Sequence, residues 1–203
     1  DFPGDPCENV LVHDYNIILE DPEVEIVIEV MGGLKPAYDF VKAALDAGKS
    51  VCTSNKELVA KHGAELIRIA KSHNRNFLFE ASVGGGIPII RPINMHITAD
   101  KICEITGILN GTTNYILTKM DKEGADFAST LKQAQDLGYA ERNPEADIEG
   151  FDAVRKIAIL ASLAKGKTVD FEEIYTEGIS NITDIDFKYA KTMNNKASWK
   201  MQE

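Results

Sequence analysis

Val24 to Val30 (VEIVIEV) is β-branched and mostly apolar, the pattern of a strand buried in a parallel sheet. Gly32-Gly33 ends it, and Pro36 suits the first turn of a helix running to about Ala47, with Gly48 as its stop. Ser50 to Thr53 predicts a second, short strand. Asn55 is placed to cap a helix over 56–73, in which Leu58, Val59, Leu66, Ile67 and Ala70 keep helical spacing. Phe77 to Glu80 predicts a third strand, while residues 1–20 open on the turn-rich DFPGDP. Strand alternating with helix implies a parallel sheet with crossover helices, a nucleotide-binding type of half-domain.

Beyond Glu80 the pattern changes. Ser82 to Pro88 (SVGGGIP) is a glycine loop, and the helix predicted from Pro88 to about His96 carries the chain elsewhere. Lys101 to Leu109 reads as a strand, followed by helices over 113–122 and 126–137, the second stopped by Gly138. A polar segment to Asp147 precedes a longer helix over 149–165, with Phe151, Val154, Ile157, Ala158 and Leu160 on its apolar face. From Lys191 the chain is polar and without period. The fold class expected is therefore α/β: a partial Rossmann-type parallel sheet over residues 1–90 and an α+β domain over 91–190, ending in a polar tail, 191–203.

Composition narrows the partners. With 22 Lys+Arg against 32 Asp+Glu, the 203 residues carry a formal charge of −10, which repels the phosphates of nucleic acid and anionic membranes. Hydrophobic content of 44% with 27% charged residues is that of a globular chain. No apolar run approaches the roughly 18–20 residues of a membrane span. Cys7, Cys52 and Cys103 are odd in number, far apart and without metal-type spacing, which favours a reducing, cytoplasmic setting. The chain begins at Asp1 rather than Met, and so is expected to be a piece of something longer.

Four segments carry candidate chemistry. Glu29-Val30-Met31-Gly32-Gly33 lies just beyond a strand, where glycines let a backbone approach a cofactor; a plain strand-to-helix turn reads equally well. Lys56, at the next strand end, is placed to neutralise a carboxylate or polarise a carbonyl, or is a solvated helix-start residue. The glycine loop after Glu80 can bind an anion through N–H groups, hold a cation through carbonyls and a carboxylate, or act as a hinge. Residues 138–156 are the densest. Asp152 and Lys156 share a helix face, a carboxylate holding an ammonium that can exchange a proton with a carbonyl or hydroxyl, although such pairs are usually surface salt bridges. Glu141 and Asp147 are placed to bind the ammonium group of an amino-acid substrate.

The segment from Ala134 to Lys156 resembles the signature of homoserine dehydrogenase, with Gly138-Tyr139, Asn143-Pro144, Asp147-Ile148, Gly150, Asp152 and Lys156 in register. EVMGG at 29–33, TSNKELVA at 53–60, FEASVGGGIPII at 79–90 and GILNGTTNYIL at 107–117 resemble further motifs of that family. The resemblance implies interconversion of L-aspartate 4-semialdehyde and L-homoserine with NADP or NAD, in the synthesis of threonine and methionine. It implies Lys156 as proton donor to the aldehyde oxygen, Asp152 as its support and Lys56 as a second active-site lysine near cofactor and substrate. It further implies that Glu141 binds the substrate ammonium and that Asp147 lines the same pocket. By the same resemblance, Gly32 and Gly33 are expected against the nicotinamide ribose, and Glu80, Val83, Gly85 and Ile87 are expected to form a loop for a monovalent cation, sodium. A homodimer formed through the second domain's sheet is implied as well.

The 203 residues contain no G-x-G-x-x-G turn to seat a pyrophosphate at a helix N-terminus. The resemblance therefore also implies that the strand at 24–30 lacks its neighbour in the sheet and exposes its edges to another chain. After Asp186–Ala190 an apolar strand is usual in the family, whereas here a polar tail follows. The alternative to a working enzyme is a truncated, non-catalytic fragment that keeps the substrate and dimerisation fold without binding a dinucleotide.

Overall fold

The computed structural model describes residues 3–97 and 99–193, and the chain divides into two compact units, Asp1–Gly85 and Gly86–Glu203.

In the first unit, β1 (Ile26–Glu29), β2 (Ser50–Thr53) and β3 (Phe77–Leu78) form a parallel sheet in that order. The crossovers are α2 (Ala37–Asp46) and α3 (Lys56–Ser72), as the alternation of apolar periods requires. Val27, Val51 and Phe77 are aligned across the ladder. On the helix side, Val41, Leu45, Leu58 and Leu66 are buried completely or nearly so. β1 thus has a neighbour, β2, contrary to the expectation that it would stand alone, because its hydrogen-bonding partner follows it in sequence. Burial on both faces is not found: Ile26, Ile28 and Leu78 are 63%, 69% and 58% exposed on the face away from the helices. Val24, Glu25 and Val30 stay outside the ladder, and β3 stops at Leu78 because the chain turns into a 3-10 turn, Glu80–Ser82. Residues 1–20 hold more than turns: a 3-10 turn at Glu8–Val10 and α1 (Tyr15–Glu20), capped by the Asp14 side chain. At the other end of the sheet, buried Lys49 donates to the carbonyls of Asp21 and Val24, both at 2.7 Å, and ties the entry loop of β1 to β2.

The second unit contains no strand among its described residues. α4 (Ile90–Met95), α5 (Gly111–Glu123), α6 (Phe127–Asp136), α7 (Glu145–Ile148), α8 (Phe151–Lys165) and α9 (Asp184–Thr192) build it. Ile116, Met120, Ala134, Ile179 and Phe187 form one cluster of its core. The strand expected over 101–109 is not formed; with no second strand beside it, its N–H and C=O groups have no ladder to join. α9 was not anticipated. It starts with a capping box in which Thr183 and Asp186 exchange hydrogen bonds, and it runs through the start of the expected tail. Residues 194–203 of that tail lie outside the described residues.

α6 gives a testable pH dependence. The Asp126 carboxylate accepts from the Ser129 hydroxyl at 2.5 Å and its amide at 3.0 Å, which hold its pKa below the ordinary value. A depressed carboxylate stabilises the fold above its unfolded pKa of about 4, and that contribution disappears as pH falls through the lower folded value. Exchange protection at the Ser129 amide is therefore expected to fall on acidification below about pH 4, and to lose that dependence in Asp126→Asn. A protection profile that is flat in the unsubstituted chain contradicts this.

Candidate functional site

The second unit gathers three of its candidate polar residues, Asp147, Asp152 and Lys156, around the start of α8. Gly150, at φ 85°, precedes the helix in a left-handed conformation that glycine adopts without strain. Asp152 and Lys156 then follow one turn apart, and Lys156 Nζ lies 2.7 Å from Asp152 Oδ2. Their side chains are only 4% and 14% exposed for Asp152 and Lys156 respectively, so this is not the surface pair that i,i+4 spacing usually marks. Lys156 Nζ also donates to the Leu109 carbonyl at 2.8 Å.

Asn110, which sequence reasoning left out of the site, joins the carboxylates. Its amide nitrogen donates to Asp147 Oδ1 at 2.7 Å and to Asp152 Oδ2 at 2.9 Å. Its amide oxygen accepts from the Thr113 N–H at 2.8 Å and caps α5. Only an amide offers both capacities on one short side chain: two donors toward two carboxylates, and an acceptor for the helix end. The signal was present in the N-G-T run ahead of a helical period, where Asn reads as a cap. Glu141 is not drawn into this network: it lies exposed, and its backbone carbonyl accepts from Gln135 Nε2 at 3.2 Å.

In the first unit the candidate residues stand at the carboxyl ends of β1 and β2, where open α/β sheets collect ligands. Gly33 has φ 74°, and a Cβ on Gly32 or Gly33 would meet nothing within 4 Å. The turn is open, and its left-handed residue accounts for one of the two glycines. Lys56 is the first residue of α3, whose cap Asn55 accepts from the Leu58 N–H at 3.0 Å and donates to the Gly33 carbonyl at 2.7 Å. Gly32, Gly33 and Lys56 are thereby brought to one rim of the sheet.

The proposed cation loop is divided. Glu80 opens a 3-10 turn whose carbonyl accepts from the Val83 and Gly84 N–H groups, both at 3.3 Å. Val83 is buried and Gly85 exposed, whereas Ile87, 70% exposed, belongs to the second unit. Among the described residues no group of three or more His, Cys, Asp or Glu side chains is arranged to hold a metal ion. No described helix is long and apolar enough to cross a membrane.

These features define an α/β chain with a parallel sheet in its first unit and a helix-borne lysine–carboxylate centre in its second. Residues 7–80 match the family described as homoserine dehydrogenase, NAD binding domain, and residues 88–201 match the family homoserine dehydrogenase. The chain belongs to the homoserine dehydrogenase family. It is 48% identical over 181 residues to homoserine dehydrogenase of Synechocystis sp., covering 89% of this chain and 42% of the relative. To that of Bacillus subtilis it is 46% identical over 186 residues, covering 92% and 43%. A homoserine dehydrogenase structure from Thiobacillus denitrificans superposes with a TM-score of 0.85 at 46% identity, over 89% of this chain and 42% of that one. A hyperthermophilic archaeal homoserine dehydrogenase in complex with NADPH does so with a TM-score of 0.77 at 33% identity, over 84% and 52%. The chain thus spans less than half the length of these curated relatives.

Proposed function

We propose that the chain carries the substrate centre and part of the cofactor site of an NAD(P)-dependent homoserine dehydrogenase. The observation that carries this reading is the buried Asp152–Lys156 pair with its third partner, the Leu109 carbonyl. An ammonium has three donors. Two are engaged, so the third is available to an oxygen of the substrate. In the reductive direction that oxygen belongs to the aldehyde of L-aspartate 4-semialdehyde, and Lys156 gives it a proton as C4 is reduced to the alcohol of L-homoserine. Asp152 keeps the ammonium placed. Asp147 and Glu141 supply negative charge for the substrate's own ammonium group. Lys56 acts as the second lysine, lowering the energy of the developing alkoxide. A bound nicotinamide supplies or accepts the hydride, and the open turn at Gly32-Gly33 fits its ribose side.

Sodium at Glu80, Val83, Gly85 and Ile87 is supported by the donor set alone, one carboxylate and three carbonyl oxygens, which suits a hard cation. The three free thiols, Cys7, Cys52 and Cys103, favour a cytoplasmic setting. Homodimer formation through the second unit completes the reading and is checked by light scattering.

The deciding experiment titrates NADP⁺ and NAD⁺ into the chain and follows homoserine oxidation by the absorbance of the reduced nicotinamide formed. Saturable binding with steady turnover is expected; binding of neither dinucleotide, with no turnover, identifies the chain as the non-catalytic fragment.

A further inference from the structure

Glu29 is a buried carboxylate, 4% exposed, at the end of β1, and no charged side chain among the described residues is paired with it. Its register partner across the ladder is Thr53, 2% exposed. One carboxylate oxygen accepts from the Met31 N–H at 2.6 Å, and the other accepts a short hydrogen bond from the Thr53 hydroxyl. Thr53 Oγ1 in turn accepts from the Asn55 N–H at 2.9 Å, and the Asn55 amide returns to the Gly33 carbonyl at 2.7 Å. With the backbone from Met31 to Gly33, these bonds close a ring. It joins the glycine turn after β1 to the first turn of α3, where Lys56 begins the helix.

The ring needs a carboxylate. Both groups facing Glu29 are donors, the Met31 N–H and the Thr53 O–H, and only a side chain with two acceptors and no proton satisfies both. A glutamine accepts from only one of them: with its oxygen on the Met31 N–H its NH₂ meets Thr53 Oγ1, and the hydroxyl proton loses its acceptor. Nothing in the proposed reaction uses Glu29 directly. We propose that Glu29 is a positioning residue: its carboxylate couples the Met31–Gly33 turn to the start of α3 and so sets the place of Lys56. Only the kinetic consequence of this rests on the dehydrogenase reading; the coupling itself does not.

The test uses the whole chain and the substitutions Glu29→Gln, Thr53→Val and Thr53→Ser. Glu29→Gln and Thr53→Val each raise hydrogen exchange at the Met31 and Asn55 amides about tenfold relative to Val51, and the double substitution goes no further than either alone. Thr53→Ser, which keeps the hydroxyl, retains protection. Competitive acetylation read by mass spectrometry shows Lys56 labelled faster in the first two variants, with exposed Lys132 and Lys188 unchanged. For homoserine, kcat falls about tenfold in the same two variants while KM holds, and Thr53→Ser restores kcat. Unchanged exchange at both amides overturns the coupling. Raised exchange with unaltered Lys56 labelling reduces Glu29 to a structural residue and overturns the positioning role. If the unsubstituted chain does not turn over homoserine, the dehydrogenase reading fails by itself, and exchange with Lys56 labelling decides the role of Glu29.

Discussion

Lys156→Ala is expected to lower homoserine turnover by roughly 10²–10⁴-fold, the usual contribution of a positioned acid or base. KM for homoserine moves little, because the substrate's ammonium end is assigned to Glu141 and Asp147. The substitution has a second effect that must be separated from the first. Asp152 is 3% exposed, and without the ammonium it keeps a buried charge supported by Asn110. Removing one partner of a buried pair costs about 3–5 kcal/mol, so melting has to be followed together with rate. Lys156→Arg separates the two. It preserves the positive charge beside Asp152, but a guanidinium does not release a proton in this pH range, and its planar fork does not reproduce the two bonds to Asp152 and Leu109. Stability near that of the unsubstituted chain with turnover still depressed at least about 10²-fold assigns the proton to Lys156. Full turnover in either variant removes Lys156 from the chemistry.

The legible and the hidden parts of this chain differ in physical origin. The crossover elements of the first unit were found, with Val27, Val51 and Phe77 aligned in the sheet, and the 149–165 pattern became α8 with Val154, Ala158 and Leu160 buried, although Phe151, expected on the same face, is 45% exposed. The Asp152–Lys156 contact followed from helical spacing, but its burial did not, since that depends on what packs over it. Asn110 joins side chains that lie 37 and 42 residues away in sequence, which no local pattern records. The strand expected over 101–109 shows the opposite failure. Its composition favours extension, but a strand exists only with a partner, and the described residues supply none there. α9 was missed because polar and apolar residues alternate from Asp186 to Ala190 without a clear helical period, which obscured a start signal that was present, Thr183 followed three residues later by Asp186.

Gly178→Ala is expected to destabilise the second unit by about 2–4 kcal/mol, more than any change at the other glycines of that unit. A Cβ at Gly178 would lie 2.5 Å from Glu149 Oε2, 2.6 Å from the Ile148 carbonyl oxygen and 2.8 Å from Glu149 Cα. The last two are backbone atoms, so rotating the Glu149 side chain does not relieve the overlap. The segment must move away from the α7–α8 junction, and two bonds then go with it: the Ile179 N–H to Ile148 carbonyl bond at 2.7 Å and the Ser180 hydroxyl to Glu149 Oε1 bond at 2.5 Å. Gly150 closes the same contact from the other side, since its Cβ would lie 2.9 Å from Thr176 Cγ2. This junction places the first turn of α8, which carries Asp152, so its disturbance reaches the lysine–carboxylate centre through the backbone. Gly166→Ala is the control. It ends α8 at φ 64° with no atom within 4 Å of a Cβ, so only the left-handed backbone opposes substitution, at about 1–2 kcal/mol. Thermal unfolding monitored for each unit separately should show a drop of roughly 5–15 °C for Gly178→Ala, confined to the second unit, and a smaller one for Gly166→Ala. Equal shifts for the two variants, or a Gly178→Ala transition within a degree or so of the unsubstituted chain, would mean that the 176–180 segment is free to move away from the junction and does not fix the start of α8.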